Sequence, residues 1–154
     1  STMVNLGNVL TIVGERGDET ALRHAVGAYR GALEQLSAAD HSRRRVSAKI
    51  SLGTAFSLLG FRGDESCLYD AVDAFREALD ECSPAQYPID WAIIHHNAGE
   101  ALVAIGLRTN KREYFASAAT HYRQALAVFT ENGTPGYFRR ATESLARIEE
   151  KLGA

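Results

Sequence analysis

Few side chains in this sequence are typed and spaced for chemistry. His95 and His96 form its only adjacent histidine pair. Imidazoles hold metals, but neighbouring residues on a helix point about 100° apart, so both cannot easily ligate one ion. One of the two is expected to line a groove and the other to pack. Asp80-Glu81 and Glu149-Glu150 pair carboxylates. Acid–base work needs a shielded site, and both pairs fall on faces expected to be solvated. There is no glycine-rich phosphate loop, Gly-x-Ser-x-Gly elbow or His-Glu-x-x-His helix. Cys67 and Cys82 lie near opposite ends of one expected helix, roughly 22 Å apart at 1.5 Å per residue. That is beyond a disulfide's reach of about 7 Å, so they read as thiols of a reducing, cytoplasmic compartment. The expectation is a protein without catalytic residues, metal or cofactor, and not an enzyme.

Other motifs have plain readings beside sharp ones. Arg16-Gly17-Asp18 and Arg62-Gly63-Asp64 match an adhesion tripeptide. Their identical phase favours a helix–helix turn in which Gly bends the chain and Asp caps the next helix. Arg43-Arg44-Arg45 reads as a solvated helix start, or else as a contact for an acidic partner. Trp91, the only tryptophan, reads as a wedge between repeats rather than a partner hot spot. Tyr87, Tyr137 and Phe138 are expected to pack near inter-repeat loops. The 154 residues carry 19 acidic and 17 basic side chains. That balance argues against nucleic acid as a partner. No apolar run approaches the ~20 residues of a membrane helix, and Ser1 to Leu10 lack the charged start of a signal peptide.

These residues are positioned by a repeat. Shifting the chain by 46 residues lays Leu6-Gly7 on Leu52-Gly53, Arg16 to Glu19 on Arg62 to Glu65, and Ala32-Leu33 on Ala78-Leu79. Residues 5–50 match 51–96 at 16 of 46 positions, far above chance. A further shift brings Gly53 onto Gly99 and Gly60 onto Gly106, after which the offset becomes 47.

Each unit reads as two helices. In the second helix the apolar residues are Leu22, Ala25, Val26, Tyr29, Ala32, Leu33 and Leu36. Their counterparts run from Leu68 to Cys82 and from Phe115 to Phe129. All three sets have offsets 0, 3, 4, 7, 10, 11 and 14, the stripe of an amphipathic helix. Asp18, Asp64 and Asn110 stand where an N-cap is wanted. Gly14, Gly60, Gly106 and Gly153 are expected to end the first helices in the left-handed conformation. Gly7, Gly53 and Gly99 fall mid-helix, at a cost of about 1 kcal/mol each relative to Ala. A cost repeated at one phase implies close helix–helix approach. Helices are expected at about 3–13, 19–37, 43–59, 65–82, 88–105, 111–131 and 136–152.

Leu52-Gly53-Thr54-Ala55-Phe56, with Ala71, Phe75 and Ala78-Leu79 in the partner helix, resembles the tetratricopeptide repeat. Pro88-Ile89-Asp90-Trp91-Ala92 followed by Asn97 to Leu102 is similar to a long-period bacterial variety. The 46-residue unit exceeds the usual ~34. The resemblance implies an all-α, right-handed superhelical solenoid of antiparallel hairpins forming one domain over 1–154. Its repeats would cover about 1–42, 43–87 and 88–135, with a capping helix over 136–154. Glu149, Glu150 and Lys151 give that helix a polar finish. The first helix lacks counterparts of Val46 and Trp91. This implies either a piece of a longer array or an apolar N-terminal edge that meets another chain in end-to-end self-association.

The function implied is a non-catalytic scaffold that binds a peptide or helix of a partner protein in a concave groove. The alternative is a self-assembly module of a larger bacterial signalling or effector protein. In such arrays the first helix of each pair lines the groove. One polar ladder there is Asn8, Thr54, Glu100 and Arg147; a second is Asn5, Ser51, Asn97 and Ser144. Amides and hydroxyls in these positions can donate or accept; alternatively they are simply solvated. The family's lysine clamp for a C-terminal carboxylate is absent, because Ile50 and His96 stand where lysine is expected.

Overall fold

Seven helices form among the described residues of the computed structural model, which are 1–37, 39 and 42–153. They are α1 (Thr2–Glu15), α2 (Glu19–Gln35), α3 (Ser42–Phe61), α4 (Glu65–Glu81), α5 (Pro88–Thr109), α6 (Arg112–Leu126) and α7 (Pro135–Gly153). No strand occurs among these residues. The chain divides into two compact units, Ser1–Cys82 and Ser83–Ala154.

In the first unit α1 packs on α2, α2 on α3, and α3 on α4. The stripe residues form its core: Leu22, Ala25, Tyr29, Ala32, Leu68, Ala71, Phe75 and Ala78 are all buried. In the second unit α6 packs on both α5 and α7. Phe115, Ala118, Ala119, Tyr122 and Ala125 are buried there, with Ala141 and Ile148 from α7. Pro88 and Pro135 open α5 and α7, where a missing N–H costs nothing. No helix among the described residues is long and apolar enough to cross a membrane.

The mid-helix glycines are where helices meet most closely. A Cβ on Gly7 would stand 2.5 Å from the Tyr29 ring, one on Gly53 2.5 Å from Phe75, and one on Gly99 2.8 Å from Tyr122. Each first helix therefore receives the aromatic of its partner helix on bare backbone.

Helix ends differ from expectation in two ways. Gly14, Gly60 and Gly106 lie inside their helices rather than after them, and Gly153 belongs to α7. The left-handed residues are Gly17 (φ 119°), Gly63 (φ 127°) and Asn110 (φ 55°). Gly14, Gly60 and Gly106 instead make room for Leu22, Leu68 and Phe115, whose side chains occupy the space a Cβ would take. Asn110 is the C-cap of α5, and Lys111 takes the N-cap position of α6. The expected helix over 111–131 ends at Leu126, because 127–134 turn toward Pro135 through the paired hydroxyls of Thr130 and Thr134.

Candidate functional site

The polar ladder positions of α1, α3 and α5 sit one or two residues from a glycine that admits an aromatic ring, whereas Ser144 and Arg147 of α7 flank Ala146. That placement governs what the ladder residues can do. In α1, Asn8 is exposed and its Oδ1 accepts a 2.9 Å hydrogen bond from the Tyr29 hydroxyl. The same hydroxyl lies 3.1 Å from Thr11 Oγ1. In α3, Thr54 is half-buried and donates to the Ile50 carbonyl at 2.9 Å, one turn back along its own helix. Its partner ring is Phe75, which has no hydroxyl to serve. In α5, Glu100 is half-buried and faces Tyr122. The ladder residue thus follows the ring: a polar acceptor stands beside each tyrosine, and a self-satisfied threonine beside the phenylalanine.

In the second unit ladder residues also join one another and a neighbouring arginine. Glu100 Oε1 accepts from Arg140 Nη2 at 3.3 Å, and His96 Nε2 lies 3.4 Å away. Burial would raise the Glu100 carboxyl, but His96 and Arg140 outweigh it and hold the group below its ordinary value. Tyr122 is pushed above the usual phenol range, first by burial and then by the Glu100 charge, although Ser144 hydrogen-bonds it. Arg147 is exposed and donates to Ser144 at 3.3 Å. Glu100, Arg140, Ser144 and Arg147 therefore form one polar strip across α5 and α7, with Tyr122 beneath it. Asn97 and Ser51 are half-buried, and Asn5 is exposed on α1.

His96 does not line a surface. Its side chain is fully buried among Tyr122, Phe129 and Tyr137, with ring centroids 5.7, 6.4 and 5.9 Å away. His95 is also buried, so the expected division of one groove histidine and one packed histidine is corrected to two packed ones. Adjacent positions fit because α5 is enclosed on more than one face: Ile94, His95, His96 and Ala98 are all buried. His95 Nδ1 meets His121 Nδ1 at 2.8 Å. One ring must donate and the other accept, so the pair fixes opposite tautomers while neutral. Burial, then the His121 charge, lowers His95 to about 4.

Trp91 packs edge-on to His95 at 4.3 Å and against the cluster of Ala92, Phe129 and Ala141, with Tyr137 and Phe138. It binds the start of α5 to the segment after α6 and to α7.

Arg45 is likewise not a solvated helix start. Its side chain donates to Glu81 at 3.0–3.3 Å and to the Leu33 and Leu36 carbonyls at 3.3 and 2.7 Å. It caps the C-terminal end of α2 while pairing with α4, which outweighs the unfavourable helix dipole. Lys49, 10 % exposed, joins the same carboxylate at 3.1 Å. Of the two tripeptide turns, Asp18 caps α2 through Ala21 N–H at 3.0 Å. Asp64 instead accepts from Ser66 at 2.7 Å and Arg23 at 3.1 Å. Arg62 donates to the Gly14 carbonyl. Sequence reading counted Tyr29 and Tyr122 as apolar stripe residues and passed over Arg140 and His121. The signal for the tyrosines was repeat phase: Tyr29 and Tyr122 alternate with Phe75, just as Asn8 and Glu100 alternate with Thr54. No protein-family model matches this chain, and no curated protein matches it.

Proposed function

We propose that this chain is a non-catalytic, tetratricopeptide-type scaffold that binds a peptide or helix of a partner protein along the first helices of its hairpins. The observation that carries this reading is the polar strip of Glu100, Arg140, Ser144 and Arg147 across α5 and α7. It sets one carboxylate and two guanidinium groups side by side at the surface of α5 and α7. Extended peptides need both donors and acceptors, and helical hairpin repeats supply them from matched positions. Asn8, in the phase of Glu100 and Arg147, and Asn5, Ser51 and Asn97, in the phase of Ser144, are further polar positions.

The test is selection of binders from a displayed peptide library, followed by titration of the selected peptide. An Asn8→Ala, Asn97→Ala, Glu100→Ala triple variant with unchanged circular dichroism should bind at least tenfold more weakly. Undiminished binding would move the site to the second helices or the loops. A self-assembly module is the second reading, favoured by the apolar exposure of α1. Light scattering over a concentration series separates it, since a monomer at high concentration excludes it.

A further inference from the structure

The surface of α1 breaks the pattern of every other helix. Leu6, Val9, Ile12 and Val13 are 51, 59, 51 and 42 % exposed. At 100° per residue they fall on one side of the helix, away from Gly7 and Gly14, which face α2. Elsewhere the large exposed apolar residues Phe61, Tyr69, Ile89 and Leu107 are scattered, which is normal for a surface. No charged residue occurs in α1 before Glu15, whereas each of the other six helices carries several.

The repeat says what belongs on this face. Its counterparts in α3 are Leu52, Ala55, Leu58 and Leu59. Leu52, Ala55 and Leu59 are 8, 0 and 2 % exposed, and α2 packs on α3. In α7 the same phase includes Ile148, 5 % exposed, and α6 packs on α7. In α3, then, this phase of a first helix lies buried in the helix on which the preceding second helix packs, and Ile148 repeats the burial in α7. We propose that Leu6, Val9, Ile12 and Val13 of α1 form a docking face for an amphipathic helix of a partner protein that presents an uncharged, apolar side as α2 does to α3. The face offers no charge to pair, and the α2–α3 contact is the precedent for a helix seated at this phase.

A second copy of the chain is the weaker occupant. Four half-exposed side chains offer an area of a few hundred Å², against the ~800 Å² per partner of a stable dimer. A single docked helix needs no more than such a stripe, read as anchors at i, i+3 and i+7, and binds transiently.

The test uses a peptide of the α2 sequence, residues 19–35, stapled between exposed positions 20 and 24 to hold it helical. Titrated into the isotope-labelled protein, it should shift amide resonances of residues 6–13. Val9→Glu with Val13→Glu, both at exposed positions, should weaken binding at least tenfold with unchanged circular dichroism. The Asn8→Ala, Asn97→Ala, Glu100→Ala variant should bind this peptide like the wild type, which separates this face from the polar strip. Shifts confined to α3 and α4, undiminished binding by the double variant, or no shifts at millimolar peptide would overturn the proposal. So would a concentration-dependent dimer that Val9→Glu abolishes, since the occupant would then be a second copy.

Discussion

Arg45 and Lys49 in the first unit occupy the same repeat phase as Trp91 and His95 in the second, 46 residues on. In the first unit that phase is held by charge: two cations converge on the Glu81 carboxylate, and Arg45 also closes the end of α2. In the second it is held by rings: Trp91 lies against His95, His95 meets His121, and Phe129 stacks on Tyr137 at 4.8 Å. The backbone solution is the same, a long first helix anchored near its start to neighbouring helices. The difference shows that the repeat dictates where helices cross while leaving open which force secures the crossing. The two solutions should also fail under different conditions.

The largest expected effect is at the charged cluster. Glu81→Leu removes the carboxylate from Arg45 and Lys49, whose side chains are 17 and 10 % exposed. Lys49 would keep only Glu77 at 3.7 Å and Arg45 only the Leu33 and Leu36 carbonyls, and the loss should cost about 3 kcal/mol, read from urea unfolding by circular dichroism. Glu81→Leu combined with Lys49→Met should recover part of that loss, because the buried cation then goes with its partner. No loss in the single variant would show the cluster to be ornamental.

Acid should act on the ring-held unit first. His95 is lowered from 6.5 to about 4, so it stays neutral when folded while the unfolded chain takes up a proton below about pH 6.5. Stability from this group is full above that value and falls as the pH drops toward 4. Burial would raise the Glu81 carboxyl, but hydrogen bonds from Arg45 and Lys49 outweigh it and hold it below its ordinary value of 4.5. Its contribution persists above 4.5 and is lost only as the pH falls through the lowered value. Between pH 7 and 5 the second unit should lose about 1–2 kcal/mol while the charged cluster is unchanged. Trp91 is the sole tryptophan, so its fluorescence in urea reports the second unit alone. His95→Phe should flatten that dependence; an equal acid loss in the variant would assign it elsewhere.

The smallest contrast concerns the glycines. An added methyl meets Phe75 at 2.5 Å from Gly53 but Tyr122 at 2.8 Å from Gly99. Gly53→Ala should therefore be less stable than Gly99→Ala by about 1 kcal/mol, although alanine is the better helix former at both sites. Equal or raised melting temperatures in both would remove the packing role from these positions.

Much of this fold was legible because helical periodicity is local. The stripe from Leu22 to Leu36 and its two copies located three helices, and glycine phase located the close contacts of the others. The exact ends were less legible. A glycine after an apolar stretch looks like a terminator, yet Gly14 and Gly60 serve Leu22 and Leu68 across the hairpin, and the turn is made three residues later by Gly17 and Gly63. The site was least legible. Arg45 meets Glu81 across 36 residues and His95 meets His121 across 26. Periodicity gives the face a residue occupies, but a contact between faces depends on how deeply two helices settle together. His96 shows the limit: its phase suggested a groove, and its surroundings in α5 bury it.

The neighbour-to-neighbour packing has a consequence for how the chain acquires its structure. Within the units α1 meets α2, α2 meets α3, α3 meets α4, and α6 meets α5 and α7, so almost every contact closes a short loop. Low contact order of this kind goes with folding in microseconds to milliseconds. Synthesis proceeds at roughly 5–20 residues per second, so a 46-residue repeat takes seconds to emerge. Once clear of the ribosome the first hairpin can thus close before α4 emerges, with Tyr29 already seated on Gly7 as the surface against which α3 arrives.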